Sequence, residues 1–180
     1  DLSKKLLLPE LKELSHFAKE VIGLIEDEIG YKIIFENNKF YFKYSNKKLE
    51  IDLLAEGYKK LALILILLKN GSINKNTILL WDEPEVNMNP KFMSLIFKVL
   101  EILAQNGVQI IMATHSYFLC QEIDLYSLDN RIENKIDTKF FSLYKENNRI
   151  NCETNSICQD LENNKIYEQF EALFERGVEI

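Results

Sequence analysis

Ile78-Leu79-Leu80-Trp81-Asp82-Glu83-Pro84-Glu85 decides the fold, together with a second stretch further on, Ile110-Ile111-Met112-Ala113-Thr114-His115-Ser116. Each is an apolar run that ends abruptly in polar, chemically useful residues. Each reads as a buried strand whose C-terminal tip delivers a functional group to a shared edge, because ligands of open α/β sheets bind at the carboxyl ends of strands. The first tip carries the adjacent carboxylates of Asp82 and Glu83, and the second carries His115. An acidic pair can hold Mg²⁺ and polarise a water, and a histidine can contact a phosphate. The combination points to nucleoside triphosphate hydrolysis.

Working outward, Thr77–Trp81 and Val108–Ala113 are the two strands, and Pro90 to Gln105 is the helix between them. Pro90 suits the start of that helix and Gly107 lies just past its end. Strand, helix, strand at this spacing predicts a parallel βαβ unit with a right-handed crossover. Ser116 can cap a short helix running to about Ile123. By pattern alone, Leu61 to Leu68 is either a buried strand or a buried helix. Leucine richness and the length of Tyr58 to Lys69 favour the helix, with Gly71 as its C-cap.

Upstream, Pro9 to Ile29 places Leu11, Leu14, Phe17, Ala18, Val21, Ile22 and Ile25 at helical spacing, with Pro9 in the first turn and Gly30 at the end. His16 falls on this helix as a structural residue. Tyr31–Phe35 and Phe40–Tyr44 predict a hairpin around a four-residue loop, Glu36 to Lys39, and Ile51–Leu54 a short strand. Downstream, Lys139–Tyr144 and Arg149–Thr154 predict a second hairpin around Glu146-Asn147-Asn148. Ile166 to Phe174 predicts a closing amphipathic helix. This tail carries no chemical motif.

Composition narrows the class. The 180 residues suit one domain or lobe, and 47% hydrophobic content supports a sizeable core. A net charge of −6 argues against a surface that is wholly a nucleic-acid footprint. Cys120, Cys152 and Cys158 are odd in number and lack metal-site spacing, which reads as reduced thiols in a cytoplasmic protein. The longest apolar run, Leu61 to Leu68, is too short to span a bilayer, and no signal peptide is present.

Over residues 52–121 the chain resembles a known family. Leu80-Trp81-Asp82-Glu83-Pro84-Glu85 is similar to the Walker B motif of ABC-type ATPases. Asn87-Met88-Asn89-Pro90 sits where their D-loop sits, and Ala113-Thr114-His115-Ser116 resembles their H-loop. Leu54-Ala55-Glu56-Gly57-Tyr58-Lys59-Lys60 is similar to a loosened signature loop. The resemblance is to stand-alone bacterial AAA/ABC-like ATPases of the OLD, RecF and SMC type rather than to membrane transporters. It implies an α/β fold, the C-terminal lobe of a P-loop NTPase. A parallel βαβ core would be preceded by a helix and β-hairpin and followed by a β-hairpin and helix. Residues 1–180 would form a single lobe, with a helix-and-hairpin subregion over 1–50, the motif-bearing core over 51–123 and the C-terminal hairpin and helix over 124–180. No G-x-x-x-x-G-K-[ST] occurs, and none of the six glycines begins one. The family's phosphate cradle lies N-terminal to these motifs, so the simplest expectation is the C-terminal part of a longer ATPase.

The resemblance also implies roles. Asp82 would hold Mg²⁺, Glu83 would act as general base on the attacking water, and His115 would be the switch histidine at the γ-phosphate. Pro84 disfavours helical geometry at Glu83 and holds that carboxylate at the strand edge. Trp81 would pack in the core. Gly57, with Ala55 and Glu56, would reach the ATP held by a second subunit in a head-to-tail homodimer; Ala55 and Glu56 depart from the usual serine and glycine there. Asn87 and Asn89 would face that nucleotide or simply form the turn. Lys59 and Lys60 read as solvated charge opening a helix, with contact to phosphate or DNA as the other reading. DNA or an effector protein as partner, in DNA repair or phage defence, is implied by the resemblance alone. Two other classes stay open: a non-catalytic interaction module that lost nucleotide binding, and a Mg²⁺-dependent nuclease built on Asp82, Glu83 and Glu85.

Overall fold

The computed structural model describes residues 2–36, 39–50 and 56–178. The chain divides into two compact units, Asp1–Thr114 and His115–Ile180. The predicted strand at Ile51–Leu54 lies outside the described residues.

The first unit is built around a helix that is apolar on nearly every side. α3 (Glu56–Lys69) buries Leu61, Ala62, Ile64, Leu65, Ile66, Leu67 and Leu68. A helix hydrophobic all round belongs in a core, which resolves the strand-or-helix ambiguity of this run. Its end is closed by Gly71 at φ 75°, whose N–H bonds Leu68 O at 3.1 Å. α2 (His16–Ile29) packs against it and against α4 (Met93–Gln105), with Val21 and Ile25 buried on α2 and Ile96 and Leu103 on α4. Lys69 Nζ donates to Ile33 O at 2.7 Å and pairs with Glu26 at 3.6 Å, joining α3, α2 and the first strand.

α2 starts seven residues later than its apolar spacing suggested. Ser15 is the N-cap, its side chain accepting from Ala18 N at 3.4 Å. A short α1 (Leu2–Leu6) precedes it, and Leu11 N bonds Lys69 O at 2.8 Å. Pro9 to Leu14 are therefore a connection pinned to the end of α3, and Pro9 is not in the first turn of α2.

β1 (Lys32–Glu36) and β2 (Lys39–Tyr44) form the expected antiparallel hairpin, but pairing continues to Glu36↔Lys39 instead of stopping at Phe35↔Phe40. A third strand, β3 (Lys47–Glu50), adds to β2. It has little apolar signal; Lys48–Glu36 and Lys39–Glu50 ion pairs, both at 2.5 Å, tie the polar face together.

β4 (Ile78–Asp82) and β5 (Gln109–Ala113) pair in parallel, in register from Ile78↔Gln109 to Asp82↔Ala113. A 3₁₀ turn (Pro90–Phe92) and α4 connect them, and Gly107 at φ 86° ends the helix. The expectation of two buried strands is corrected. Trp81, Leu79, Ile110 and Met112 are half-buried, whereas Ile78, Leu80 and Ile111 are 60%, 73% and 54% exposed on the opposite face. A two-stranded parallel sheet has two faces to cover, and among the described residues only one is covered.

In the second unit, Ser116 caps α5 (Tyr117–Leu128) by accepting from Leu119 N at 3.2 Å. The helix runs five residues beyond Ile123, because Asp124 and Tyr126 are buried and hold its last turns in place. β6 (Phe140–Glu146) and β7 (Arg149–Asn155) form the expected hairpin. Asn147 (φ 48°) and Asn148 (φ 60°) close it as a two-residue type I′ turn. A 3₁₀ turn (Cys158–Asp160) leads to α6 (Lys165–Val178), on which Phe170 stacks on Tyr117 at 3.7 Å. Among the described residues no helix is long and apolar enough to cross a membrane.

Candidate functional site

The parallel pair ends at Asp82, which is exposed opposite Ala113. Glu83 extends the ladder by one bond, N to Ala113 O at 2.9 Å, and then leaves the strand. It does so at φ 45°. Pro84 disfavours helical geometry at the residue before it, yet Glu83 occupies the left-handed region, which costs a non-glycine residue about 1–2 kcal/mol. The turn that follows explains the departure. Val86 N bonds Glu83 O at 3.3 Å, Met88 N bonds Glu85 O at 3.0 Å, and Asn87 sits at φ 65°. Asn89 closes the turn by accepting from Lys91 N at 3.0 Å, capping the Pro90–Phe92 segment. Asn87 and Asn89 thus both do turn-forming work, and both are exposed.

α3 lies directly against this turn. Gly57 is buried, and a Cβ there would fall 2.7 Å from Asn87 O and 2.6 Å from Met88 Cγ. Only glycine permits that approach of helix to backbone. One turn further along α3, Lys60 Nζ donates to Glu83 O. The reading of Lys60 as solvated charge is corrected; Lys59 instead pairs with Glu56 at 2.7 Å on the exposed side. Tyr58 packs edge-on against Phe42 and Phe92, fixing the first turn of α3 between β2 and the 3₁₀ turn. Glu56 is exposed, and Ala55 lies outside the described residues.

At the end of β5, Thr114 Oγ1 donates to Glu85 Oε1 at 2.7 Å. This bond joins the two strand tips and occupies the third carboxylate of the proposed nuclease cluster. Among the described residues no three His, Cys, Asp or Glu side chains gather as metal ligands. Mg²⁺ in nucleotide sites needs less, one or two carboxylates plus phosphate oxygens and water. The exposed Asp82, with Glu83 beside it, fits that hard-oxygen donor set. His115 is exposed and belongs to the second unit, where it lines an open groove with Tyr117, Lys165, Gln169 and Phe170.

Nothing in the order of residues marks Lys60 on Glu83, the Thr114–Glu85 bond or the role of Asp124. Asp124 is 1% exposed and accepts from Cys158 N (2.7 Å), Gln159 N (2.9 Å) and the Tyr167 hydroxyl (2.9 Å). Burial, reinforced by Asp124, pushes the Tyr167 hydroxyl well above its ordinary range. A hydrogen bond from Cys120 lowers the Cys158 thiol. An i to i+4 apolar pattern exposes none of this, since the partners meet only in three dimensions.

The parallel pair, the helix between its strands and the acidic tip define an α/β P-loop NTPase lobe of the ABC/AAA type. A family model described as "AAA domain, putative AbiEii toxin, Type IV TA system" matches residues 14–121, and the chain belongs to that family. The chain is also 41% identical over 64 residues to the lipoprotein-releasing system ATP-binding protein LolD of Rickettsia conorii (strain ATCC VR-613 / Malish 7). That match covers 34% of this chain and 29% of the relative; the LolD of Rickettsia typhi (strain ATCC VR-144 / Wilmington) is 38% identical over the same span lengths. The match thus spans less than a third of these curated relatives.

Solved structures agree on the fold. One comes from work on ATP-driven dimerization and DNA stimulated activation of SMC ATPases; it aligns with a TM-score of 0.55 at 11% identity, over 88% of this chain and 89% of that one. The SmcHead bound to the C-winged helix domain of ScpA aligns with a TM-score of 0.57 at 13% identity, over 81% of this chain and 43% of that one.

Proposed function

We propose that residues 1–180 are the C-terminal lobe of an ATPase whose active site is completed by other polypeptide. Asp82 holds Mg²⁺ and Glu83 is the general base that orients and deprotonates the attacking water. His115 contacts the γ-phosphate. Gly57 with Ala55 and Glu56, and Asn87 with Asn89, face the nucleotide held by a second subunit in a head-to-tail homodimer. Bound Mg²⁺ supplies charge neutralisation for the phosphates, which Asp82 and Glu83 would otherwise repel. The phosphate cradle comes from a segment outside these residues. The observation that carries the reading is the tip of β4, with adjacent carboxylates on a strained turn against the glycine-bearing start of α3. The open Ile78/Leu80/Ile111 face supports it too, since parallel sheets are normally covered on both faces and the cradle lobe would cover this one. A setting in DNA repair or phage defence is part of this reading and rests on the resemblance alone; the site's chemistry does not depend on it.

The test is Glu83→Gln in the complete ATPase. ATP binding should persist while hydrolysis falls by about 10²–10⁴-fold, the usual contribution of a positioned base. Near-normal kcat removes Glu83 from this role. His115→Ala should lower kcat more than it alters nucleotide affinity. Titrated calorimetrically with a non-hydrolysable ATP analogue, the 180-residue chain alone should bind weakly; a micromolar Kd, about −8 kcal/mol, would mean that it carries its own phosphate site.

A further inference from the structure

We propose that Lys60 is a positioning residue for Glu83, and that through it the first turn of α3 sets the geometry of the general base. The inference rests on the assignment of Glu83 as that base.

Glu83 stands at φ 45° against its own local preference. It is neither Gly nor Asn, and the following Pro84 favours extended backbone at the residue before it. Its backbone is held both from within the turn and from outside it. Its N–H donates to Ala113 O at 2.9 Å, and its carbonyl accepts from Val86 N at 3.3 Å and from Lys60 Nζ. The first two are neutral. The third is charge-assisted, a class of bond roughly twice as strong, and it comes from a side chain of α3.

Lys60 lies three residues after Gly57, so both fall on one face of α3. That face meets the whole turn. Gly57 abuts Asn87 and Met88 at its far end, and Lys60 holds Glu83 at its near end. Lys59, one residue earlier, pairs with Glu56 at 2.7 Å. The helix start and the turn therefore move as one piece. A shift at Glu56-Gly57 is carried to the Glu83 backbone through a half-buried side chain and a tight backbone contact. In the composite site, engagement of that helix start by the partner's nucleotide would align the base on the same subunit.

The experiment is steady-state ATP hydrolysis by the complete ATPase carrying Lys60→Met, Lys60→Arg or Glu83→Gln, each checked for folding by thermal melting. Lys60→Met should lower kcat by about 10- to 100-fold, the scale expected of a small misplacement. KM for ATP should change by less than about twofold, and Lys60→Arg, which keeps a cationic donor, should restore most of kcat. If Lys60→Met fails to fold, Lys60→Gln, a neutral donor, carries the same expectation. Wild-type turnover without the Lys60 cation, while Glu83→Gln is inactive, overturns the proposal and leaves the base intact. A raised KM at unchanged kcat also overturns it, since Lys60 would then bind phosphate directly. Unimpaired turnover in Glu83→Gln instead removes the base assignment on which the proposal stands.

Discussion

The turn after β4 and the turn between β6 and β7 both hold non-glycine residues at positive φ, for opposite reasons. In the hairpin, Asn147 and Asn148 stand at φ 48° and 60°. Asparagine tolerates the left-handed region, and a two-residue hairpin turn demands it at both positions. The backbone goes where its residues already favour. After β4, Glu83 stands at φ 45° with no such preference. Its conformation is imposed by the β5 ladder, by the turn and by Lys60. Residues held against their preference cluster at sites where geometry matters more than stability. The hairpin turn is a piece of architecture, while the turn after β4 stores strain beside a pair of carboxylates.

Substitution at Glu83 should break this contrast most visibly. Both Glu83→Gly and Glu83→Ala remove the proposed base, and turnover in the complete ATPase should fall by about 10²–10⁴-fold in each. Their stabilities should differ: glycine relieves the left-handed strain and alanine keeps it, so chemical denaturation should find Glu83→Gly the more stable by about 1 kcal/mol. Equal stabilities would mean that the turn is relaxed and the contrast with the hairpin false.

Gly57→Ala comes next. The added methyl would meet Asn87 O and Met88 Cγ at 2.7 and 2.6 Å, and one of these partners is backbone. Overpacking of this kind costs about 1–3 kcal/mol, measurable by urea denaturation, and ATP turnover should drop because the turn must move. An unaffected midpoint would show that α3 does not grip the turn.

The hairpin should respond mildly and in the other direction. Asn148→Gly gives the Asn-Gly pair that a type I′ turn favours, and should raise stability by no more than about 0.5–1 kcal/mol. A loss would place Asn148 under a constraint other than backbone conformation.

The smallest effect expected is one of pH, in the second unit. Glu153 accepts from Glu162 N at 2.7 Å and Asn163 N at 3.0 Å, and these bonds hold its carboxyl below the ordinary value of 4.5. A carboxyl depressed in the folded state contributes stability above its unfolded pKa and loses it as pH falls through the folded value. The melting temperature should therefore decline on acidification below about pH 4.5, and Glu153→Gln should flatten that decline. An identical profile in the variant would assign the acid sensitivity elsewhere.

Local signals carried the outline of this protein a long way. Pro90 and Gly107 bracket the helix between the strands, Ser116 caps α5, and the Asn147-Asn148 pair sits where the hairpin turns. Each acts on its own backbone, so each can be read from neighbouring residues. The same holds for the order of Asp82-Glu83 and His115 after apolar runs, from which an ATPase lobe was legible. Local signals misled where a longer-range contact competed. Leu11 and Leu14 keep helical spacing, but the bond from Leu11 N to Lys69 O and the Ser15 cap start α2 at His16. Lys47 to Glu50 look like polar loop and are paired strand because β2 offers an edge.

The sequence by itself determined the two strand tips and the turns beside them, because strand ends, caps and turn types depend on residues adjacent in the chain. Only the tertiary structure decided how Glu83 is held. Its φ, the Lys60 ammonium on its carbonyl and the fit of Gly57 against Asn87 depend on α3 lying across the turn from another part of the chain. A side chain's neighbours across space leave no periodic trace in the residues beside it.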